Sequence, residues 1–211
     1  NEHRHCWRYC SKCLFCFHGT ILSNYGNCIY AIFYPYFNGN DVSFKNVEIY
    51  SIDEYYPAPA DHYSRNRRLY EDLVANIDIK PENVHVPKLT ELHDGSFVSD
   101  FCNEYDIKAR NLDLLIMGTG EKGQIGFNEP GSYGKSRTRL VQLSLNSRKV
   151  QSKFFSQEKE VPTMAITMGI GTILKAKKIV LMAWGENKAD VIQKVVEGDD
   201  TEMIPASLLQ A

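Results

Sequence analysis

Residues 112–117, LDLLIM, limit most strongly what this chain can fold into. The run is apolar at nearly every position, so a strand made from it buries both faces. Strands buried on both faces belong inside a parallel sheet covered by helices. The run stops at Gly118-Thr119-Gly120, continues through Gly123-Gln124-Ile125-Gly126-Phe127-Asn128-Glu129-Pro130-Gly131, and ends in a basic cluster at Arg137 and Arg139. Open α/β sheets bind ligands at the carboxyl ends of their strands. Glycines there let backbone N–H groups approach an anion, and a following helix start adds partial positive charge. The segment therefore predicts a site for a small phosphorylated or carboxylated molecule, with Gly118 and Gly120 beside it.

Further apolar, β-rich runs recur at 12–17, 46–51, 83–86, 138–144, 163–168 and 178–184. Helical stretches lie near 28–37, 62–76, 97–109, 147–155, 170–176 and 186–197. Strands alternating with helices at this spacing predict an α/β fold of three α/β/α layers, with a mostly parallel sheet. The run IVLMAW, like LDLLIM, reads as a central strand. At 211 residues, with no internal repeat or low-complexity linker, the chain is expected to form a single domain over 1–211. Residues 1–40, rich in Cys, His, Tyr and Asn, read as a divergent part of it. With Asn1 first and Gln210-Ala211 directly after an apolar segment, truncation is expected at both ends.

Lys and Arg number 24 against 26 Asp and Glu, a net charge of -2, so nothing draws the chain toward nucleic acid. Local basic clusters, residues 65–68 (RNRR) and Lys175-Ala176-Lys177-Lys178, read as solvated helix faces. No apolar run approaches the ~20 residues that span a bilayer, and no secretory signal is visible, so a cytoplasmic protein is expected. Cys6, Cys10, Cys13, Cys16 and Cys28 crowd the N-terminal segment with His3, His5 and His18, whereas Cys102 stands alone. A structural zinc site takes two separated ligand pairs, and a strand over 12–17 would send alternate cysteines to opposite faces. Reduced thiols, partly in the core, are expected, and no metal.

The strings SFKNVEIYSIDEYYP (43–57), LDLLIMGTGEKGQIGFNEPGS (112–132), SRTRLVQL (136–143), residues 161–198 and IPASLLQ (204–210) stand in one order. In that order residues 42–210 resemble the glucosamine-6-phosphate deaminase (isomerase) family, within the wider sugar-phosphate isomerase and 6-phosphogluconolactonase group. GFNEPGS followed by SRTR is a specific signature, far beyond a chance GxG. LMAWGENKA is most similar to a bacterial branch whose deaminase-like domain can belong to a longer polypeptide. The resemblance implies a Rossmann-like fold and the conversion of glucosamine 6-phosphate to fructose 6-phosphate and ammonia in amino-sugar (N-acetylglucosamine) catabolism. No cofactor is implied, and a homo-oligomer is compatible with it.

That chemistry needs a carboxylate base beside C1 and C2, a proton relay for ring opening, and a cationic cradle for phosphate. By resemblance Asp53 takes the base position, Glu129 the acidic member of the relay, and Lys188 the phosphate lysine at a helix start. Taken alone, Asp53-Glu54 would read as a cap for the next helix. Gln124 stands where the family places His, and Lys122 where well-studied members place Asp. Glutamine cannot take up a proton near neutral pH, so enzymatic ring opening is expected to lose about 10²–10⁴-fold. Lys153 replaces an arginine, keeping charge and losing bidentate geometry. The phosphate loop after the first strand is reduced to Gly19-Thr20 or Gly26-Asn27-Cys28. Arg137 and Arg139 are expected in structural ion pairs. Arg139 also matches an allosteric position of hexameric members, but Val141 replaces that site's neighbouring base.

Three readings remain open at the level of sequence. The first is an active deaminase/isomerase, and the second a catalytically impaired sugar-phosphate-binding protein. The third is a 6-phosphogluconolactonase-type hydrolase, which GFNEPGS with SRTR disfavours.

Overall fold

A computed structural model describes residues 43–59 and 64–210, with the backbone of residues 12–15. The predicted helix at 28–37, the histidines and cysteines around Cys6–Cys16 other than the backbone of Cys13, Cys28, and the remnants of the phosphate loop lie outside the described residues. So does the question of a metal there.

Among the described residues five short strands, β1 (Lys12–Phe15), β2 (Glu48–Ser51), β4 (Val84–His85), β5 (Leu114–Gly118) and β8 (Ile179–Met182), form a wholly parallel sheet. Their order across it is β4-β2-β1-β5-β8. Alternation along β5 explains the layers. Leu115 and Met117 join one core with Tyr50, Tyr105, Ala109, Val191 and Val195. Leu114 and Ile116 face the other way and pack with Ile49, Leu69 and Leu73. Helices α2 (Gly95–Lys108) and α5 (Ala189–Glu197) therefore cover one face, and α1 (Arg65–Asp72) covers the opposite one. This is the three-layer α/β/α arrangement, Rossmann-like, that consecutive apolar residues predict. Among the described residues no helix is long and apolar enough to cross a membrane.

Two expectations need correction. The run at 178–184 lies at the margin of the described sheet, with Val180 43% exposed, because Ile179 and Leu181 alone complete the first core and Met182 the second. The runs at 138–144 and 163–168 do not join the parallel sheet. They become β6 (Arg139–Gln142) and β7 (Met164–Thr167), an antiparallel pair that also takes in β3 (Asp53–Tyr56), in the order β3-β7-β6. Periodicity reports burial and not strand direction, and β3 is too close to β2 to be told apart by pattern. The chain leaves one sheet at Ser51 and enters the other at Asp53, pivoting on the fully buried Ile52.

Among the described residues the remaining α-helices are α3 (Leu145–Gln151) and α4 (Ile170–Ile173), with a 3-10 turn at Ser152–Phe154 after α3 and another at Glu186–Lys188 before α5.

Candidate active site

The carboxyl ends of β2, β5 and β8 lead directly into Asp53, the loop from Gly118, and Lys188. Asp53 opens β3 opposite Thr167, which on its other side pairs with Arg139. Only 2% exposed, Asp53 turns Oδ1 toward Arg65, whose Nε lies 3.5 Å away. Its neighbour Glu54 faces elsewhere. The Glu54 carboxylate accepts the N–H groups of Tyr55 (2.8 Å), Arg65 (3.1 Å) and Asn66 (2.7 Å), so it closes the N-terminus of α1 together with the Ser64 cap. Burial pushes the Glu54 carboxyl above its ordinary range, against the pull of those three N–H donors and Arg65. The capping role foreseen for the pair thus belongs to Glu54, and Asp53 is left for other work.

The Gly118–Gly131 loop folds over Asp53. Gly126 has φ +58, and a Cβ there would come within 2.8 Å of Ile52 Cγ2 and Thr167 Oγ1 and 3.6 Å of Asp53 Oδ2. Glycine answers both demands, the left-handed backbone and the close approach. Phe127 N–H donates to Thr167 Oγ1 (3.1 Å). Asn128, fully buried, donates to the carbonyls of Ile125 and Met168 and accepts from Arg139 Nη1 at 2.9 Å. GFN is therefore a clasp joining the loop to the antiparallel sheet. At the loop's start, Gly118 ends β5, paired with Met182. Gly120 N–H donates to Gln124 O (2.9 Å), so that N–H is engaged within the loop rather than offered to an anion.

Gln124 and Glu129 are not joined. Gln124 Oε1 accepts from Lys122 N at 2.9 Å, and its amide lies so close over Gly120 that a Cβ there would stand 2.1 Å from Gln124 Cδ. Glu129 Oε1 accepts instead from Ser144 N (3.2 Å) and Ser144 Oγ (3.1 Å), at the N-cap of α3. Among the described residues no hydrogen bond connects them.

Lys188 and Lys153 come together with Glu121. Lys188, 2% exposed, caps α5, and among the described residues its Nζ has no hydrogen-bond partner. Burial holds it below the ordinary lysine range, opposed by Glu121 and reinforced by the charge of Lys153. Lys153 is likewise lowered by burial and opposed by Glu121, and its Nζ lies 5.1 Å from the Phe154 ring centre. Asn187 Nδ2 donates to Glu121 Oε1 at 2.8 Å, which holds the acidic member of the trio. The buried ammonium of Lys188 and the exposed one of Lys153, beside one exposed carboxylate, make a local excess of positive charge suited to a multiply charged anion.

The SRTR string is structural. Thr138 donates through N–H and Oγ1 to the buried Asp106, which also accepts from Thr172 Oγ1 and pairs with Arg137 Nε at 3.8 Å. Ser136 Oγ accepts from Ile170 N. The ion-pair expectation fits Arg137, while Arg139 serves the Asn128 clasp. Cys102 lies in the core, its thiol pushed up to about 11 by burial.

Sequence reasoning missed Arg65. It stands in a basic run that reads as a solvated face, and Arg67 does fit that description, pairing with Glu71 one turn on, whereas Arg68 is partly buried and pairs with Asp72. Arg65 is 4% exposed, and a helical period could have separated it, because Arg65 and Leu69 lie on one face.

Fold and site define a three-layer α/β/α protein with its polar residues gathered at the carboxyl edge of a parallel sheet. The chain belongs to the glucosamine-6-phosphate isomerases/6-phosphogluconolactonase family, whose profile matches residues 27–211. It is 39% identical over 195 residues to a glucosamine-6-phosphate deaminase of Clostridium novyi, covering 90% of this chain and 77% of that one. A glucosamine-6-phosphate deaminase-like protein of Bacteroides thetaiotaomicron is 42% identical over 173 residues, 80% of this chain. The match spans only 26% of that Bacteroides protein's length. A solved monomeric glucosamine-6-phosphate deaminase superposes with a TM-score of 0.85 at 30% identity, covering 95% of this chain and 81% of that one. A 6-phosphogluconolactonase from Thermotoga maritima (TM-score 0.64, 16% identity, 93% and 79% covered) shares the fold.

Proposed function

We propose that the chain converts glucosamine 6-phosphate and water to fructose 6-phosphate and ammonia. The observation that carries this reading is the pairing, along one sheet edge, of the buried carboxylate Asp53 with the buried ammonium of Lys188 and, beside it, the exposed one of Lys153. Those lysines would hold the phosphate. Asp53 would take the C2 proton of the open-chain aldehyde; the C–H electron pair forms the C1–C2 double bond, and the aldehyde oxygen gains a proton. Return of the proton at C1 leaves an imine at C2, to which water adds as ammonia departs. Relatives named glucosamine-6-phosphate deaminase support the substrate. Amino-sugar catabolism in the cytoplasm follows from the same reading. Ammonia release from glucosamine 6-phosphate tests it, and a purified protein that releases none refutes it.

A second reading, a sugar-phosphate binder with impaired turnover, draws on the separation of Gln124 from Glu129. Glutamine is no proton carrier, and here its carbonyl already serves Lys122 N–H. Saturable binding of glucosamine 6-phosphate by calorimetry, without ammonia, would select it.

A further inference from the structure

Arg65 sits where a helix tolerates a cation least. It is the first residue of α1, no acidic residue occupies that turn, and the partial positive charge of the helix start opposes the guanidinium. Burial at 4% exposure adds a desolvation cost. Such a placement persists only where neighbours repay both. Glu54 accepts the Arg65 N–H and so stitches the start of α1 to β3, the strand that opens with Asp53. The side chain then runs back to Asp53, with Nε 3.5 Å from Oδ1. Its far end is fixed as well. Nη2 donates to Gln151 Oε1 at 3.3 Å, an oxygen that also accepts from Tyr55 Oη at 3.1 Å. The guanidinium carbon lies 5.5 Å from the Tyr55 ring centre and 5.4 Å from that of Phe127, within the range of cation–π attraction.

The two carboxylate oxygens of Asp53 therefore have different surroundings. Oδ1 faces the guanidinium, whereas Oδ2 faces Gly126, in the loop that covers the strand ends. We infer that Arg65 is a positioning residue that orients the Asp53 carboxylate by its Oδ1 and leaves proton transfer to Oδ2. The inference rests on the deaminase/isomerase reading and specifies how its base is aimed. Nothing in the family signature marks Arg65. Lysine would keep the charge but lose the planar fork that spans Asp53 and Gln151.

Proton exchange at C1 of fructose 6-phosphate in heavy water tests this without ring opening or ammonia release. The base takes a C1 proton, the electron pair enters the C1–C2 bond, the C2 carbonyl oxygen becomes an enolate, and solvent deuterium returns at C1. Arg65→Met should slow exchange by ~10²-fold at saturating substrate, as a base displaced by about 1 Å does, with KM within about threefold. Arg65→Lys should recover a part of that loss, which a mere packing defect would not allow. Gln151→Leu, which frees the far end of the guanidinium, should show a smaller loss in the same direction. It keeps the question answerable should Arg65→Met fail to fold. Asp53→Asn is the control for the base itself. If Asp53→Asn abolishes exchange while Arg65→Met and Gln151→Leu match the wild type, the inference is overturned and the proposed function stands. A rise in KM with unchanged maximal exchange overturns it equally. A wild-type protein with no exchange and no ammonia release removes both.

Discussion

The two ends of one sheet edge treat buried charge in opposite ways. After β2, Asp53 and Glu54 stand side by side and both are answered, one by Arg65 and the other by three backbone N–H groups. After β8, Lys188 is as deeply buried, yet among the described residues its ammonium meets no hydrogen-bond acceptor, and its neighbours are one carboxylate and a second lysine. Burying a charge without a partner is costly, and a bound anion would offset that cost at Lys188. The first end is a finished scaffold that aims a carboxylate. The second is a cationic recess that a phosphate would finish.

The largest effect should come from the finished end. Asp53→Asn removes the base while preserving shape, and ammonia formation should fall by ~10²–10⁴-fold with an unchanged circular dichroism spectrum. Undiminished turnover would move the chemistry away from this end altogether. At the other end, Lys188→Met should weaken fructose 6-phosphate binding by ~10²-fold, the size of a lost charge-assisted hydrogen bond, while leaving the scaffold around Asp53 intact. The pH dependence has a definite sign. Lys188 and Lys153 lie below the ordinary lysine range, so their charge disappears earlier as pH rises. Calorimetric affinity for the sugar phosphate should therefore decline on the alkaline side sooner than it would with ordinary lysines. An affinity flat through that region would detach the two lysines from the phosphate.

How legible each end was in the sequence follows from the same contrast. Strand and helix positions came from periodicity, and β5, α2 and α5 are where LDLLIM and the flanking amphipathic runs put them. The direction of β6 and β7 did not, because alternation is identical in parallel and antiparallel strands. Asp53, Lys153 and Lys188 were visible through the family signature, and their gathering at one edge follows from the topology. Arg65 was invisible because it shares one basic run with Arg67, which really is on the solvated face. Asp106, joined to Thr138 just before β6 and to Thr172 on α4, carries no local signal at all. Contacts between residues far apart in the chain leave no trace in a pattern read one window at a time. Gln124 was the reverse case. Its identity announced a weakened relay, but only the structure shows its carbonyl held by Lys122 N–H.

Gln124 lies in the loop between the two ends, and Gln124→His sharpens what each contributes. Should base and phosphate recess be intact, restoring a proton carrier should raise ammonia formation by about 10²-fold, the low end of what a positioned acid–base group supplies. The C1 exchange of fructose 6-phosphate, which bypasses ring opening, should stay as it was. A gain in both assays would place Gln124 nearer to the base than to the relay.

The smallest effect is a change of stability with opposite signs at the two ends. Replacing a buried ammonium that has no acceptor with an apolar side chain of similar length removes a desolvation cost and keeps the packing. Lys188→Met should therefore raise the unfolding free energy in phosphate-free buffer by about 1 kcal/mol, the lower bound seen when buried charges give way to hydrophobic groups. Arg65→Met should lower it, because it strands Asp53 without its cation. A lysine whose folded pKa is depressed destabilises the fold where it is forced to carry charge. The wild type should consequently gain stability as pH rises through that depressed range towards the free-lysine value, and Lys188→Met should gain less. Thermal melts with and without inorganic phosphate separate the cases. Phosphate should stabilise the wild type and leave Lys188→Met nearly unmoved. If Lys188→Met melts lower than the wild type in phosphate-free buffer, the ammonium is already satisfied within the protein and the contrast between the two ends dissolves.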